Sequence, residues 1–227
     1  PTINLFPAFT LAFLLGGYGL RVVLRDRDKS FSNSKLNTAD LSNQDNFPSV
    51  DVVVSARDEE NVVERLINRL VSIKYPKDKI SFWIIDDGSQ DKTFGLLKEL
   101  IIGLPNFHLL QRHRSDGGGK SGALNYALNF LESDWLLILD ADAQLNEDVL
   151  LRLILFAQKS QWVAVQLRKA VINSKENFLT CFQSMEMAMD AVIQRGRLMG
   201  GGVVELRGNG QLIKRTILDK CGGFNEG

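Results

Sequence analysis

Between Ser49 and Asp140 the chain alternates short apolar runs with longer stretches in which apolar residues recur every three or four positions. The runs VDVVVSA (50–56), ISFWIID (80–86), NFHLLQR (106–112) and DWLLILD (134–140) are rich in Val, Ile and Leu, which predicts buried strands. EENVVERLINRLVSI (59–73), residues 91–103 and SGALNYALNFLE (121–132) carry helical spacing. Strands without a polar face, alternating with amphipathic helices, build an α/β domain with a Rossmann-like, mostly parallel sheet and helices on both faces. In such sheets ligands bind beyond the carboxyl ends of the strands. The polar residues just after each run therefore become the candidate site.

Two segments precede this alternation. Residues 1–20, PTINLFPAFTLAFLLGGYGL, carry no charge, and Arg21, Arg25, Arg27 and Lys29 come next, with Asp26 and Asp28 among them. About 20 apolar residues suffice for a helix to cross a bilayer, and cations at its C-terminal end place the rest of the chain in the cytoplasm. Residues 1–29 are thus expected to form a membrane-anchor helix with a basic flank, spanning or re-entrant. A short core helix is the alternative, because Pro7 and the Gly16 and Gly17 pair interrupt the run. Residues 30–48, rich in Ser and Asn, read as a polar linker, and 49–227 as the folded domain.

Composition removes several classes. The 27 basic and 27 acidic residues cancel, which argues against a nucleic-acid partner. Cys181 and Cys221 lack metal-ligand spacing and are expected in the core of a protein from a reducing compartment. His108 and His113 have no acidic or cysteine partner at such spacing and are expected at the surface or at strand ends.

RSDGGGKSGALN (114–125) sets three glycines and a lysine before a helix, where backbone N–H groups can cradle phosphate. The phosphate loop of ATPases needs a further glycine five residues before Gly119, and Arg114 stands there. That loop would also have to come after the first strand, not the third, so a P-loop ATPase is set aside. SARDEE (55–60) leaves the first strand and DDGSQD (86–91) ends the second. Helix capping accounts for Ser89 and Asp91, but less well for two adjacent aspartates. LLILDADAQ (136–144) carries Asp140 and Asp142 at a strand end. Two carboxylates one residue apart suit a hard divalent cation that shares its other positions with phosphate oxygens and water.

In this order and at this spacing, ARDEEN (56–61), IIDDGSQDKT (84–93), GGGKSGALN (117–125) and LDADAQ (139–144) resemble the inverting glycosyltransferases of family 2, which have the GT-A fold, over about residues 50–227. The resemblance implies a nucleotide-diphospho-sugar transferase that takes a UDP-sugar donor and uses Mg²⁺ or Mn²⁺. It implies Arg57 and Glu59 near the base, Asp87 accepting from the uracil N–H, and Asp86 supporting Asp87. It further implies Lys120 close to the nucleotide, Asn125 fixing the glycine loop, Asp140 on ribose or metal, and Asp142 as a metal ligand.

A narrower resemblance, in residues 164–188 and 201–226, is to the membrane-associated cyanobacterial members of family 2 that place glucose on diacylglycerol. It implies a diacylglycerol acceptor in a membrane and puts Arg207, Gly208, Asn209, Gly210 and Gln211 at the donor-sugar and acceptor pocket. Met185, Met187, Met189 and Met199 approach that stretch and are read as helix core packing ahead of a lipid-adapting surface. The family's acidic base comes after a GGF-like segment and is expected beyond Gly227, so no catalytic residue is assigned within the chain. The expected reaction is single displacement with inversion, in which a metal offsets leaving-group charge. A processive polysaccharide synthase of the same family and a non-catalytic nucleotide-sugar binding module are the alternatives that carry the same motifs.

Overall fold

A computed structural model describes residues 13–14, 16–21, 47–171 and 173–226. The anchor expected over 1–29 and the linker expected over 30–48 fall largely outside them. Residues 13–14 and 16–21 are helical and expose Phe13, Leu14, Tyr18 and Leu20. Among the described residues, no helix is long and apolar enough to cross a membrane. The chain forms two compact units, Pro1–Lys35 with Arg168–Glu205, and Leu36–Leu167 with Leu206–Gly227.

The larger unit is built on one sheet of β1 (Val50–Ala56), β2 (Ile80–Asp87), β3 (Phe107–Arg112), β4 (Trp135–Asp140), β5 (Ala164–Gln166) and β6 (Gln211–Lys214). Their order is β3-β2-β1-β4-β6-β5. The first four run parallel, while β6 is antiparallel to both β4 and β5. Helices α1 (Val63–Val71) and α4 (Val149–Ser160) pack on one face. Helices α3 (Gly119–Leu128) and α6 (Arg215–Cys221) pack on the other. Helix α2 (Thr93–Leu100) sets Leu97 against Val63, Ile67 and Ile84. The α/β class and the doubly covered, mostly parallel sheet are as the sequence predicts.

Side chains alternate faces along a strand. Val50, Val52, Val54, Leu137 and Leu139 join the core under α1 and α4, and Val53, Ile85, Leu136 and Ile138 join the core under α3. Because both faces are buried, these strands lack a polar period. The same parity carries Ser55, Asp87 and Asp140 to the α3 face at the carboxyl ends. Asp51 closes the opposite end: only 2% exposed, it accepts from Trp83 Nε1 at 3.0 Å and from the Glu132 and Ser133 N–H groups at 3.1 and 3.0 Å. Three donors satisfy a carboxylate that burial would otherwise penalise.

Several expectations shift. Helix α1 starts at Val63 and not at 59, because the Glu59 carbonyl accepts from the Val62 and Val63 N–H groups in a turn, at 2.9 and 3.2 Å. Helix α3 starts at Gly119, after Gly118 takes a left-handed φ of 69°, and ends at Leu128 instead of 132. Strands β5 and β6 are too short to show a period and go unpredicted. Cys181 and Cys221 are exposed, not core. Met185, Met187 and Met189 are 65, 38 and 62% exposed and not packed. His108, on β3, stacks on Trp83 with ring centroids 4.2 Å apart, and His113 caps the turn Arg114–Asp116 just after β3.

Candidate functional site

The loops leaving β1 and β2 are stitched together. The N–H groups of Asp58, Glu59 and Glu60 donate to Ser89 Oγ, Thr93 Oγ1 and the Asp91 carboxylate at 3.0, 2.7 and 3.1 Å. In return the Gln90 and Lys92 N–H groups donate to the Asp58 and Glu60 carboxylates at 2.7 and 3.1 Å. Cap-type residues thus serve the neighbouring loop as well as their own helix. The Gln90 N–H and the Arg114 guanidinium, 2.9 Å away, hold the Asp58 carboxyl below its ordinary value. At Asp91 burial acts upward, but hydrogen bonds from Thr93 and Glu60 outweigh it and hold the carboxyl low. Glu59 is pushed up, first by burial and then by the negative charges of Asp142, Asp91 and Asp140.

Asp87 is 3% exposed and is gripped from two sides. Arg112 Nη1 donates to its Oδ1 at 2.7 Å, and the Arg57 guanidinium pairs with its Oδ2. Arg57 Nε also donates to the Asp87 carbonyl at 2.8 Å, and Arg112 Nη2 donates to the Gly117 carbonyl at 2.9 Å. Arg112 therefore ties the second strand to the glycine loop. It belongs to none of the motifs in the sequence, although strand parity offers the signal: Arg112 is the register partner of Asp87. Asp86 points to the opposite face, fully buried, with no hydrogen-bond partner for either oxygen among the described residues.

Three distant segments meet at the end of β4. Lys120 Nζ pairs with the Asp140 carboxylate and donates to the Gly208 carbonyl at 2.6 Å. The Asp140 N–H donates to Asn209 Oδ1 at 3.1 Å, and the Gly210 N–H donates to the Ile138 carbonyl at 2.8 Å. Gln166 orders the same stretch: its Nε2 donates to the Asn209 carbonyl and its Oε1 accepts the Arg207 N–H, both at 2.7 Å. Gln211, 8% exposed, is the first residue of β6 and lies in the sheet. Asp142 is exposed in the turn after β4, where Arg69 Nη1 donates to the Ala143 carbonyl at 2.9 Å.

Among the described residues, no three His, Cys, Asp or Glu side chains converge to hold a metal. Asp140 and Asp142 offer two hard oxygen donors, and after burial their charges, with that of Asp91, push the nearby Glu59 carboxyl up. Such a pair fits Mg²⁺ or Mn²⁺ when phosphate oxygens and water fill the other positions.

Asn125 points elsewhere than the glycine loop expected for it. Its Nδ2 donates to the Phe224 carbonyl at 2.8 Å and to Glu226 Oε1 at 2.7 Å, and its Oδ1 accepts the Phe224 N–H at 2.8 Å. It thereby clamps the segment 224–226 down against the loop. A Cβ on Gly118, whose φ is 69°, would come within 2.9 Å of Gly122 Cα as well as 2.7 Å from the movable Glu226 Oε2, and one on Gly122 within 2.7 Å of the Gly117 carbonyl, so close approach to backbone requires glycine at both places.

The parallel sheet, with β6 antiparallel between β4 and β5 and with acidic residues ending β2 and β4, is the architecture of GT-A nucleotide-diphospho-sugar transferases. The sequence profile of glycosyl transferase family 2 matches residues 51–222, and the chain belongs to that family. It is 43% identical over 183 residues to the β-monoglucosyldiacylglycerol synthase of Trichormus variabilis, a match covering 81% of this chain and 39% of that enzyme. The Synechocystis enzyme of the same name is 41% identical over 180 residues, covering 79% and 38%. The chain thus spans about two fifths of the length of these curated relatives. A solved mannosyltransferase of Pyrobaculum calidifontis, in complex with GDP-Man and Mn²⁺, shares the fold with a TM-score of 0.68 at 21% identity, over 96% of this chain and 58% of that one.

Proposed function

We propose that this chain supplies the donor-binding part of an inverting glycosyltransferase that moves glucose from UDP-glucose to diacylglycerol in a membrane. The observation that carries this reading is the junction at the end of β4, where the glycine loop, the strand end and the stretch 207–210 bring Lys120, Asp140, Gly208 and Asn209 within hydrogen-bonding reach. One cation beside hard carboxylates suits a sugar diphosphate with its metal. The 43% and 41% identity to enzymes named for glucosyldiacylglycerol synthesis supports the choice of sugar and acceptor.

In this reading Arg57, Glu59, Asp86 and Asp87 form the nucleoside end. Asp87 is oriented by Arg112 and Arg57 and keeps a lone pair on each oxygen for the uracil N–H. Asp86, buried on the opposite face with no hydrogen-bond partner among the described residues, acts on Asp87 only through the backbone of β2. Asp140 and Asp142 would hold Mg²⁺ or Mn²⁺, which would supply positive charge to offset that of the leaving diphosphate. Lys120 turns to the same phosphates by exchanging Asp140 for the ligand. Asn125 fixes the glycine loop indirectly, through the segment it clamps. Residues Arg207, Gly208, Asn209, Gly210 and Gln211 shape the sugar and acceptor end. The N-terminal segment holds the domain at the cytoplasmic side of the membrane, next to a lipid acceptor.

Calorimetric titration of UDP-glucose with and without Mn²⁺, into wild type and Asp142→Ala, tests this. Metal-dependent binding that the substitution abolishes is expected. Binding indifferent to both would remove the metal role, and no binding by folded wild type would remove the donor site.

A further inference from the structure

We infer, building on the lipid-directed function above but from residues of the smaller unit alone, that helix α5 (Phe178–Met199) docks in the plane of an anionic lipid bilayer. At 3.6 residues per turn, Phe178, Phe182, Met185 and Met189 fall at i, i+4, i+7 and i+11 and share one face. They are 87, 58, 65 and 62% exposed. Thr180, Gln183, Ser184 and Asp190 lie on the other side, and Glu186 lies at the edge of the stripe. A helix with such a stripe ordinarily buries it, and an exposed apolar patch of this kind marks an interaction surface.

Charge decides what covers it. The unit that holds α5, residues 1–35 and 168–205, has ten Lys and Arg against six Asp and Glu, leaving seventeen and twenty-one in the larger unit. A neutral chain thus concentrates a net +4 on the unit with the exposed stripe. Arg168, Lys169 and Lys175, all exposed, lead into the helix. Arg21, also exposed, comes directly after the exposed Phe13, Leu14, Tyr18 and Leu20 of the same unit. Apolar side chains flanked by cations, where no helix among the described residues is both long and apolar enough to span, are the composition of an interfacial helix drawn to anionic headgroups. A second copy of this unit would bring like charges together, which disfavours self-association as the cover.

Co-sedimentation of the full chain with phosphatidylcholine vesicles and with mixed phosphatidylcholine–phosphatidylglycerol vesicles tests the docking, wild type against Phe182→Ser/Met185→Ser. Wild type is expected on the mixed vesicles. The variant is expected to partition roughly tenfold less or weaker still, since two apolar side chains no longer enter the interface. Cys181, beside the stripe, labelled with an environment-sensitive dye in a Cys221→Ser background, should shift to the blue on the same vesicles. A UDP-glucose titration in parallel separates the two claims: the donor site stands or falls there, and the stripe in the vesicle assay. Equal partition of the two proteins, no partition of wild type onto anionic vesicles, or a wild-type dimer that the substitutions dissolve would each overturn the docking.

Discussion

Replacing Arg112 by Met keeps most of the apolar stem and deletes the guanidinium. Asp87 and Arg112 are 3% and 8% exposed, so the pair lies out of water. Two bonds vanish. The 2.7 Å contact with Asp87 joins two charges and is worth about 1.5–3 kcal/mol, and the 2.9 Å bond to the Gly117 carbonyl adds about 1 kcal/mol. Arg57, with its side chain 37% exposed, still neutralises Asp87. The loss should therefore sit near the low end of the ~3–5 kcal/mol expected when one member of a buried pair is removed. Urea unfolding monitored by tryptophan fluorescence reads it cleanly, because Trp83, Trp135 and Trp162 all belong to the larger unit. The midpoint is expected to fall by about 1–2 M at an ordinary m-value. Asp87→Leu with Arg112→Met should cost less than the two single changes together. If Arg112→Met costs under about 1 kcal/mol, the figure for an exposed pair, or if the changes simply add, the buried-pair account fails.

Asn125→Ala removes three bonds to residues 224–226 and should cost about 2 kcal/mol, with faster proteolysis at Gly222–Glu226 and unchanged hydrogen exchange in β1 and β4. Equal cleavage rates would show that the clamp is not needed. Gly122→Ala drives a Cβ to 2.7 Å from the Gly117 carbonyl and 3.0 Å from Arg112 Nη2, and should lower stability by about 1–3 kcal/mol and weaken UDP-glucose binding in calorimetry. Wild-type affinity in that variant would dissociate the loop from the donor. Glu59→Gln tests the upward push on that carboxyl. Ionising Glu59 opposes folding, so wild type loses stability as pH rises through its raised folded value, and the variant does not. Denaturant melts should show the variant gaining toward neutral pH and no difference well below the ordinary value of 4.5. A gap widest in acid would contradict the sign.

The central sheet is legible because it is buried on both faces. Val52–Val54 and Leu136–Leu139 run without a polar gap, and the strings that hold them, VDVVVSA and LLILD, coincide with Val50–Ala56 and the end of Trp135–Asp140. Strands β5 and β6 are not legible, since their pairing rests on partners such as Leu137 opposite Leu212 and not on any local period. The site divides the same way. Its strings stand at strand ends, as the α/β rule requires, but their partnerships do not show in the string. Arg112 matters through Asp87, 25 positions away, Arg114 through Asp58, 56 away, and Gln166 through Asn209, 43 away. The methionines of α5 show a further limit: apolar spacing announces a face, but the chain's charge distribution is needed to say what meets it.

Strand β6 lies between β4 and β5, although it is made after both. Gln211 comes 71 positions after Asp140, which at about 5–20 residues per second of synthesis is an interval of roughly 4–14 seconds. Throughout it, Leu136 to Leu139 present an apolar edge with free backbone groups, a template for any other extended chain. Yield of soluble protein, more than activity of the finished fold, is therefore the property that should respond to the pace of translation across residues 141–210.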